Sequence, residues 1–219
     1  MAKVVIFGAG DIARLAHYYF MRDSDHDVVA FTVDEQYRQG DSFLDLPLVG
    51  FEQAIQTYPP DEYSMFVALS YARMNQLRAE KYEQAKARGY QLVSYVSSRC
   101  SFLTDHAVGD NCFILEDNTI QPFVRIGNNV TLWSGNHIGH DSTIRDHVFI
   151  ASHIVVSGWC EVGEYCFIGV NATLRNSIKI APRTLISAGA VIMKDTVAGG
   201  VYLSQRATLS EKKSDEIQL

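Results

Sequence analysis

Residues 107–196 read AVGDNC FILEDN TIQPFV RIGNNV TLWSGN HIGHDS TIRDHV FIASHI VVSGWC EVGEYC FIGVNA TLRNSI KIAPRT LISAGA VIMKDT when cut every six. The second place of all fifteen hexads is Val, Ile or Leu, from Val108 and Ile114 through Ile186 to Ile192. The sixth place is small or medium-sized, as at Cys112, Val124, Ser142, Cys160, Cys166, Ala172 and Ala190. A period of six fits neither the 3.6 of an amphipathic helix nor the 2.0 of a half-buried strand. It fits a parallel β-helix of hexapeptide repeats, in which three short strands and three turns close one triangular coil. Five coils stacked at the strand spacing of about 4.8 Å predict a prism roughly 24 Å tall. The second-place aliphatics would point inward in columns, and the sixth-place residues would fill the tight inner corners.

The hexads claim only the latter half of a 219-residue chain. With 47% hydrophobic and 20% charged residues there is apolar material for two small cores. A formal charge of −6 argues against nucleic acid or an anionic membrane as partner, since phosphate binding wants clustered Lys and Arg. There is no apolar run of 18 residues for membrane insertion, and the opening MAKVVIFGAG is too short for a signal peptide, so a cytoplasmic protein is expected. Cys112, Cys160 and Cys166 occupy sixth places and read as small buried hydrophobes; no CxxC pair suggests zinc, and no metal site is expected.

Ahead of the hexads, KVVIF (residues 3–7) reads as a strand ending in Gly8-Ala9-Gly10-Asp11. Ile12, Leu15, Ala16, Tyr19 and Phe20 then recur at helical spacing, with Asp11 placed as N-cap. VVAFTV (28–33) is a second strand, closed by Asp34. Strand, glycine turn, helix, strand and terminal acid together resemble the first half of a Rossmann unit, in which a helix N-terminus receives a pyrophosphate. Residues 36–48 read as a loop, FEQAIQTY as a short helix, MFVAL (65–69) as a third strand closed by Ser70, residues 75–88 as a helix and 91–96 as a fourth strand. The expectation is a Rossmann-like α/β half-domain over 1–96, a junction over 97–106, the parallel β-helix over 107–196, and a coil with a frayed polar tail over 197–219.

Polar residues that break the hexad background are the candidates for chemistry. His137 and His140 lie in NHIGHDS beside Asn136, Gly139 and Asp141, in a segment that places glycine and histidine where strand formers are expected. On these residues, and on the pairing of Gly8-x-Gly10 with the hexads, the chain resembles the NeuD/PglD-like hexapeptide sugar acyltransferases over Val4 to about Thr196. The resemblance implies a left-handed β-helix, a homotrimer with acetyl-CoA between adjacent prisms, and N-acetylation of a nucleotide-linked amino-dideoxy sugar for bacterial surface glycan synthesis. UDP or dTDP would be the carrier nucleotide. It places the general base at His140, oriented by Asp141. It gives the thioester oxygen to the Gly158 amide and the pantetheine channel to Val170, Ala188 and Ala190. Gly8, Gly10 and Asp11 would face the diphosphate and sugar, Asp34 the base or ribose, and Ser70 the same cleft, with Asn136 and His137 as further substrate contacts.

The chain departs from that family's pattern at three points. Phe149 stands nine positions after His140, where many members have a second histidine; Trp133 stands seven before it, where an asparagine is common. GVYLSQRA replaces a Gly-x-Pro-Ala segment near the end. Other readings remain open: a sugar O-acetyltransferase of the sialic-acid type, a non-catalytic nucleotide-sugar-binding protein, and a metal enzyme of the γ-carbonic anhydrase type. Against the last, prism residues stack in register only at separations of 18, and no two of His106, His137, His140, His147 and His153 are so spaced.

Overall fold

The computed structural model describes residues 2–211 and 213–217. The first part is a five-stranded sheet with β1 (Lys3–Phe7) at its heart, hydrogen-bonded in parallel to β2 (Asp27–Val33) on one side and to β5 (Tyr63–Val67) on the other. Beyond β2, the expected loop over 36–48 instead holds a small hairpin. Its strands β3 (Ser42–Phe43) and β4 (Leu46–Gly50) extend the order to β3-β4-β2-β1-β5. Helices α1 (Asp11–Asp23), α2 (Phe51–Thr57) and α3 (Gln76–Ala87) connect and cover the strands. Asp11 is not the N-cap: Gly10 takes that place, and the Asp11 carboxylate instead pairs with Arg14 in the first turn.

The hexads wind as the period requires. Strands of two residues stack into three parallel walls of seven, six and four strands. Vertical neighbours differ by 18, as in Thr131–Phe149–Phe167 and His137–Val155–Thr173. Every second-place aliphatic from Ile114 to Ile192 is buried, with Val108 partly buried at the lower end. The sixth-place cysteines are buried too, and burial pushes the Cys112 thiol up to about 12, so it behaves as a core hydrophobe. Each buried Ile, Leu or Val contributes roughly 1.5–3 kcal/mol relative to exposure, which is how strands of two residues hold together.

Pairing runs past the expected span at both ends. Of residues 91–96, expected as a fourth strand of the first sheet, Tyr95–Val96 pairs with Phe113–Ile114 in the seven-stranded wall, and Leu92 alone bridges to the first sheet, at Met65. Ser101–Phe102 pairs with Thr119–Ile120, so the expected junction is itself an opening coil. At the other end Val201–Tyr202 pairs with Leu185–Ile186 before the chain leaves the prism. Of the tail, Ser214–Glu216 forms a 3-10 turn, and Lys212, Gln218 and Leu219 lie outside the described residues.

The two parts share a core. Phe113 and Leu115 of the seven-stranded wall join Val4, Ile6, Phe20, Phe31 and Phe66 in one apolar cluster. Polar groups fix the docking around it. Asn75 donates to the carbonyls of Tyr165 and Cys166, and Arg78, 1% exposed, donates to those of Asn129, His147 and Val148. Burial lowers the Arg78 pKa to about 10, still high enough to keep it charged at neutral pH. A ladder of side chains rises beside it: Asn111 exchanges hydrogen bonds with the Val67 backbone and donates to Asn129, whose amide donates to His147 Nδ1 at 2.9 Å.

Two predictions come from this packing. Ile168→Asp places a carboxylate in the dry column at a cost of several kcal/mol, enough to unfold a marginal domain; a soluble variant with an unchanged melting temperature would contradict the register. The second concerns acid. Burial lowers the pKa of His147, which faces Asp146, Asp110 and Arg78 and accepts at Nδ1, so the folded state holds it neutral. Unfolded histidine takes up its proton near pH 6.5, so below that pH the unfolded state binds more protons and stability falls as pH drops. Burial lowers His17 and His26 in the same direction. The measurement is therefore a difference: between pH 7.5 and 5.5 the melting temperature should fall less in His147→Asn, which extends the asparagine ladder, than in the wild type. Equal slopes would contradict it.

Candidate active site

Two cavities meet at the tip of β1. The first, about 380 Å³, lies within the α/β part and is lined by Gly8, Ala9, Gly10, Asp34, Tyr37, Phe43, Leu69 and Lys81, among others. Lys81 Nζ donates to Asp34 Oδ1 at 2.7 Å on its wall. Glycine is required at position 8, where φ is +131° and a Cβ would meet the Ala68 carbonyl oxygen at 2.7 Å. At Gly10 a Cβ would meet nothing within 4 Å, so the missing side chain leaves open space between the cavities. The second cavity, about 760 Å³, shares Gly10 and Leu69 with the first and adds Asp11, Ile12, Ser70 and Tyr71. Its other side is the prism: Trp133, Phe149, Ala151, Ser152, Phe167, Gly169, Val170 and Ala188. Tyr71 packs at 5.0 Å from Phe149 and 4.7 Å from Phe167, ring centre to ring centre. The start of α1 offers backbone amides at the junction, a favourable place for an anion.

His140 is elsewhere. It sits on the turn leading from the six-stranded wall to the four-stranded one, whereas the second cavity lies on the seven-stranded wall and its turn into the six-stranded one. Within the chain a whole wall separates them. The His140 backbone amide donates to Gln121 Oε1, and ring Nδ1 lies 2.9 Å from Asp141 Oδ2. Asp141 takes the left-handed conformation of the turn, with φ 58°, which brings its carboxylate back onto the neighbouring ring. A carboxylate beside Nδ1 accepts a hydrogen bond from the N–H there, which leaves the lone pair on Nε2. That nitrogen lies over Gly158, one coil higher, where any Cβ would meet it at 2.8 Å. The Gly158 amide donates to no group among the described residues. The two side chains are 40% and 39% exposed, open enough for a ligand to reach them.

The site residues expected from the sequence fall into three groups. Gly8, Gly10 and Asp34 line the first cavity; Gly10, Asp11, Ser70, Val170 and Ala188 line the second; His140, Asp141 and Gly158 cluster on the distant turn. Two expectations need correcting. Asn136 is a sixth-place residue, 1% exposed, with its amide on the Trp133 carbonyl and its carbonyl accepting from the Ile154 amide; no substrate can reach it. Ala190 is likewise a sixth-place residue within the prism core and lines no channel. His137 stands on the flat of the six-stranded wall between Thr119 and Val155, off the His140 turn. The aromatic lining of the second cavity was missed, although Phe149 and Phe167 fall 18 apart at outward first places, with Phe113 two coils below Phe149 in the same column, a sign that this wall is covered. Among the described residues no group of three or more His, Cys, Asp or Glu is placed to hold a metal, and no helix is long and apolar enough to cross a membrane.

Residues 105–140 match the bacterial transferase hexapeptide family (six repeats). A UDP-3-O-acylglucosamine N-acyltransferase from Delftia acidovorans is 28% identical over 102 residues, which is 45% of this chain but only 29% of that relative's length. Solved structures agree over nearly the whole chain. The acetyltransferase domain of PglB from Neisseria gonorrhoeae FA1090 superposes with a TM-score of 0.77 at 20% identity, over 92% of this chain and 96% of that one. A histidine-to-alanine mutant of GDP-perosamine N-acetyl transferase from Caulobacter crescentus, in complex with CoA and GDP-perosamine, does so with a TM-score of 0.80 at 23% identity, over 92% and 93%. These likenesses include the left-handed winding of the β-helix and the α/β part ahead of it. The chain thus carries the bacterial transferase hexapeptide repeat in the two-part fold of the sugar N-acetyltransferases that its sequence resembles.

Proposed function

We propose that the protein transfers the acetyl group of acetyl-CoA to the amino group of a nucleotide-linked amino-dideoxy sugar, in a trimer whose sites lie between subunits. The observation that carries this reading is the pair of joined cavities. The first suits a nucleoside, with Asp34 and Lys81 as its polar groups, and the amides at Gly10 and the start of α1 suit a diphosphate. The second, apolar and aromatic on its prism side, suits a deoxygenated sugar ring. A UDP or dTDP carrier is the expected nucleotide.

The base lies a wall away in the same chain, so the reading places a neighbour's His140 turn against the mouth of the second cavity. Val170 and Ala188, on that mouth, would then flank the pantetheine arm of acetyl-CoA between two prisms. His140 Nε2 takes a proton from the sugar amine as the nitrogen attacks the thioester carbonyl. Asp141 stabilises the imidazolium that forms, and the Gly158 amide donates to the oxyanion. Collapse of the tetrahedral intermediate breaks the carbon–sulfur bond, and CoA leaves as the thiol after taking the proton from His140. Amide and free CoA are the products.

Thiol release from acetyl-CoA, measured against UDP-, dTDP- and GDP-linked amino sugars, tests the reading. His140→Ala should keep the wild-type melting temperature, because the side chain stands outside the core, and should lose about 10²–10⁴ in rate, the usual worth of a positioned base. The free amine is itself a fair nucleophile, so the low end is expected; a larger loss would favour a hydroxyl acceptor. Retention of more than about a third of the rate would put the base elsewhere.

A further inference from the structure

Turns of this prism put their fifth-place residue in the left-handed conformation, and most of those places hold Asn, Asp, Gly, His or Ser, which tolerate it. Three hold aromatic residues. Tyr165 is packed, with the His147 ring at 4.7 Å and the Arg183 guanidinium at 5.0 Å. Phe123 and Trp159 are 61% and 59% exposed, with φ of 68° and 55°. They are 18 residues either side of Asp141 and so form one column, Phe123–Asp141–Trp159, on the edge that carries His140. A bulky residue there bears the strain of a positive φ and recovers little of it by burial, so folding does not explain its presence.

We propose that Trp159 is a positioning residue for transfer, holding the plane of the His140 imidazole. This rests on the reading of His140 as the base. The two rings meet edge to face, 4.2 Å between centres and 83° between planes. Asp141 secures one nitrogen only, and an imidazole 40% exposed on a turn can still swing about that single hydrogen bond. The indole closes the remaining freedom. The Trp159 amide also donates to the His140 carbonyl at 2.9 Å, so the two coils are tied at this point in backbone as well as side chain. A base held in plane keeps Nε2 above Gly158, where the thioester carbon must pass, and small misplacements at that distance are costly in rate.

The test uses Trp159→Asn and Trp159→Phe in the full-length protein. Asparagine relieves the left-handed strain and removes the ring, so the melting temperature should hold or rise while kcat falls about tenfold and the KM for acetyl-CoA stays within about twofold. Phenylalanine should recover most of kcat. NMR supplies a readout independent of turnover: the His140 ring-proton shifts, displaced by the indole ring current, should move towards exposed-histidine values in Trp159→Asn. Wild-type kcat in Trp159→Asn where His140→Ala is inactive overturns the proposal and leaves the function standing. Unmoved ring-proton shifts overturn it as well, whether or not any acceptor sugar has been found. Absence of transfer by the wild type, with the shifts moving as expected, overturns the reading of the function and with it any positioning role in transfer.

Discussion

Strand amides of one coil donate to carbonyls seventeen residues on, in the next coil, which sets each strand residue beside those eighteen before and after it. Phe149 bonds to the Cys166 carbonyl and Thr131 to that of Val148, and the same stagger repeats up each wall. That register decides what every position can do. Second and sixth places are committed to the core, first and third places face outward, and fourth and fifth places make the turns. Chemistry is thereby confined to the outward and turn positions. This is why His140, Asp141 and Gly158 can act together although 18 residues separate the first from the last, and why Asn136 and Ala190 cannot take part.

The register also explains how the α/β part is held. Its sheet lies on the wall whose first places are Phe113, Phe149 and Phe167, and the contact is fastened by Arg78 and Asn75 reaching backbone carbonyls of the prism. A buried guanidinium that reaches carbonyls through Nη2 alone, with Nε and Nη1 unpaired, is an expensive arrangement unless its geometry is kept, so the docking is specific as well as apolar. Once docked, the loop after β5 brings Ser70 and Tyr71 over the prism, and Gly10, in the turn after β1, lines both cavities. The edge that carries His140 and Asp141 stays uncovered by the α/β part, with Phe123 and Trp159 exposed on it.

Much of this could be read in advance because the period is strict. Inward columns, buried cysteines and the turn position of His140 all follow from counting in sixes. Other features resist counting. The lower coil continues the frame as YVSSRC and SFLTDH, but Phe102 stands where every later hexad has an aliphatic, and so the start was placed too late. The last strand, Val201–Tyr202, pairs with residues 16 positions earlier instead of 18 and drops out of the frame. Strand β4 contains Pro47 and ends in Gly50, two residues that weaken strand propensity; its pairing with β2 and β3 makes it a strand. The distance between His140 and the second cavity was not legible at all, because it depends on which wall the α/β part covers.

Subunit complementation examines the division of the site most directly. His140→Ala removes the proposed base, and Gly10→Phe sets a ring at a residue that both cavities share, where a Cβ meets nothing within 4 Å. Each variant alone should fall at least about 10²-fold below the wild type. When the two are co-expressed or refolded together, sites that take His140 from one chain and the cavity from the other become complete. Random assembly into symmetric trimers predicts about a quarter of the wild-type rate per chain. A mixture that assembles into mixed trimers and stays inactive would contradict a site shared between subunits.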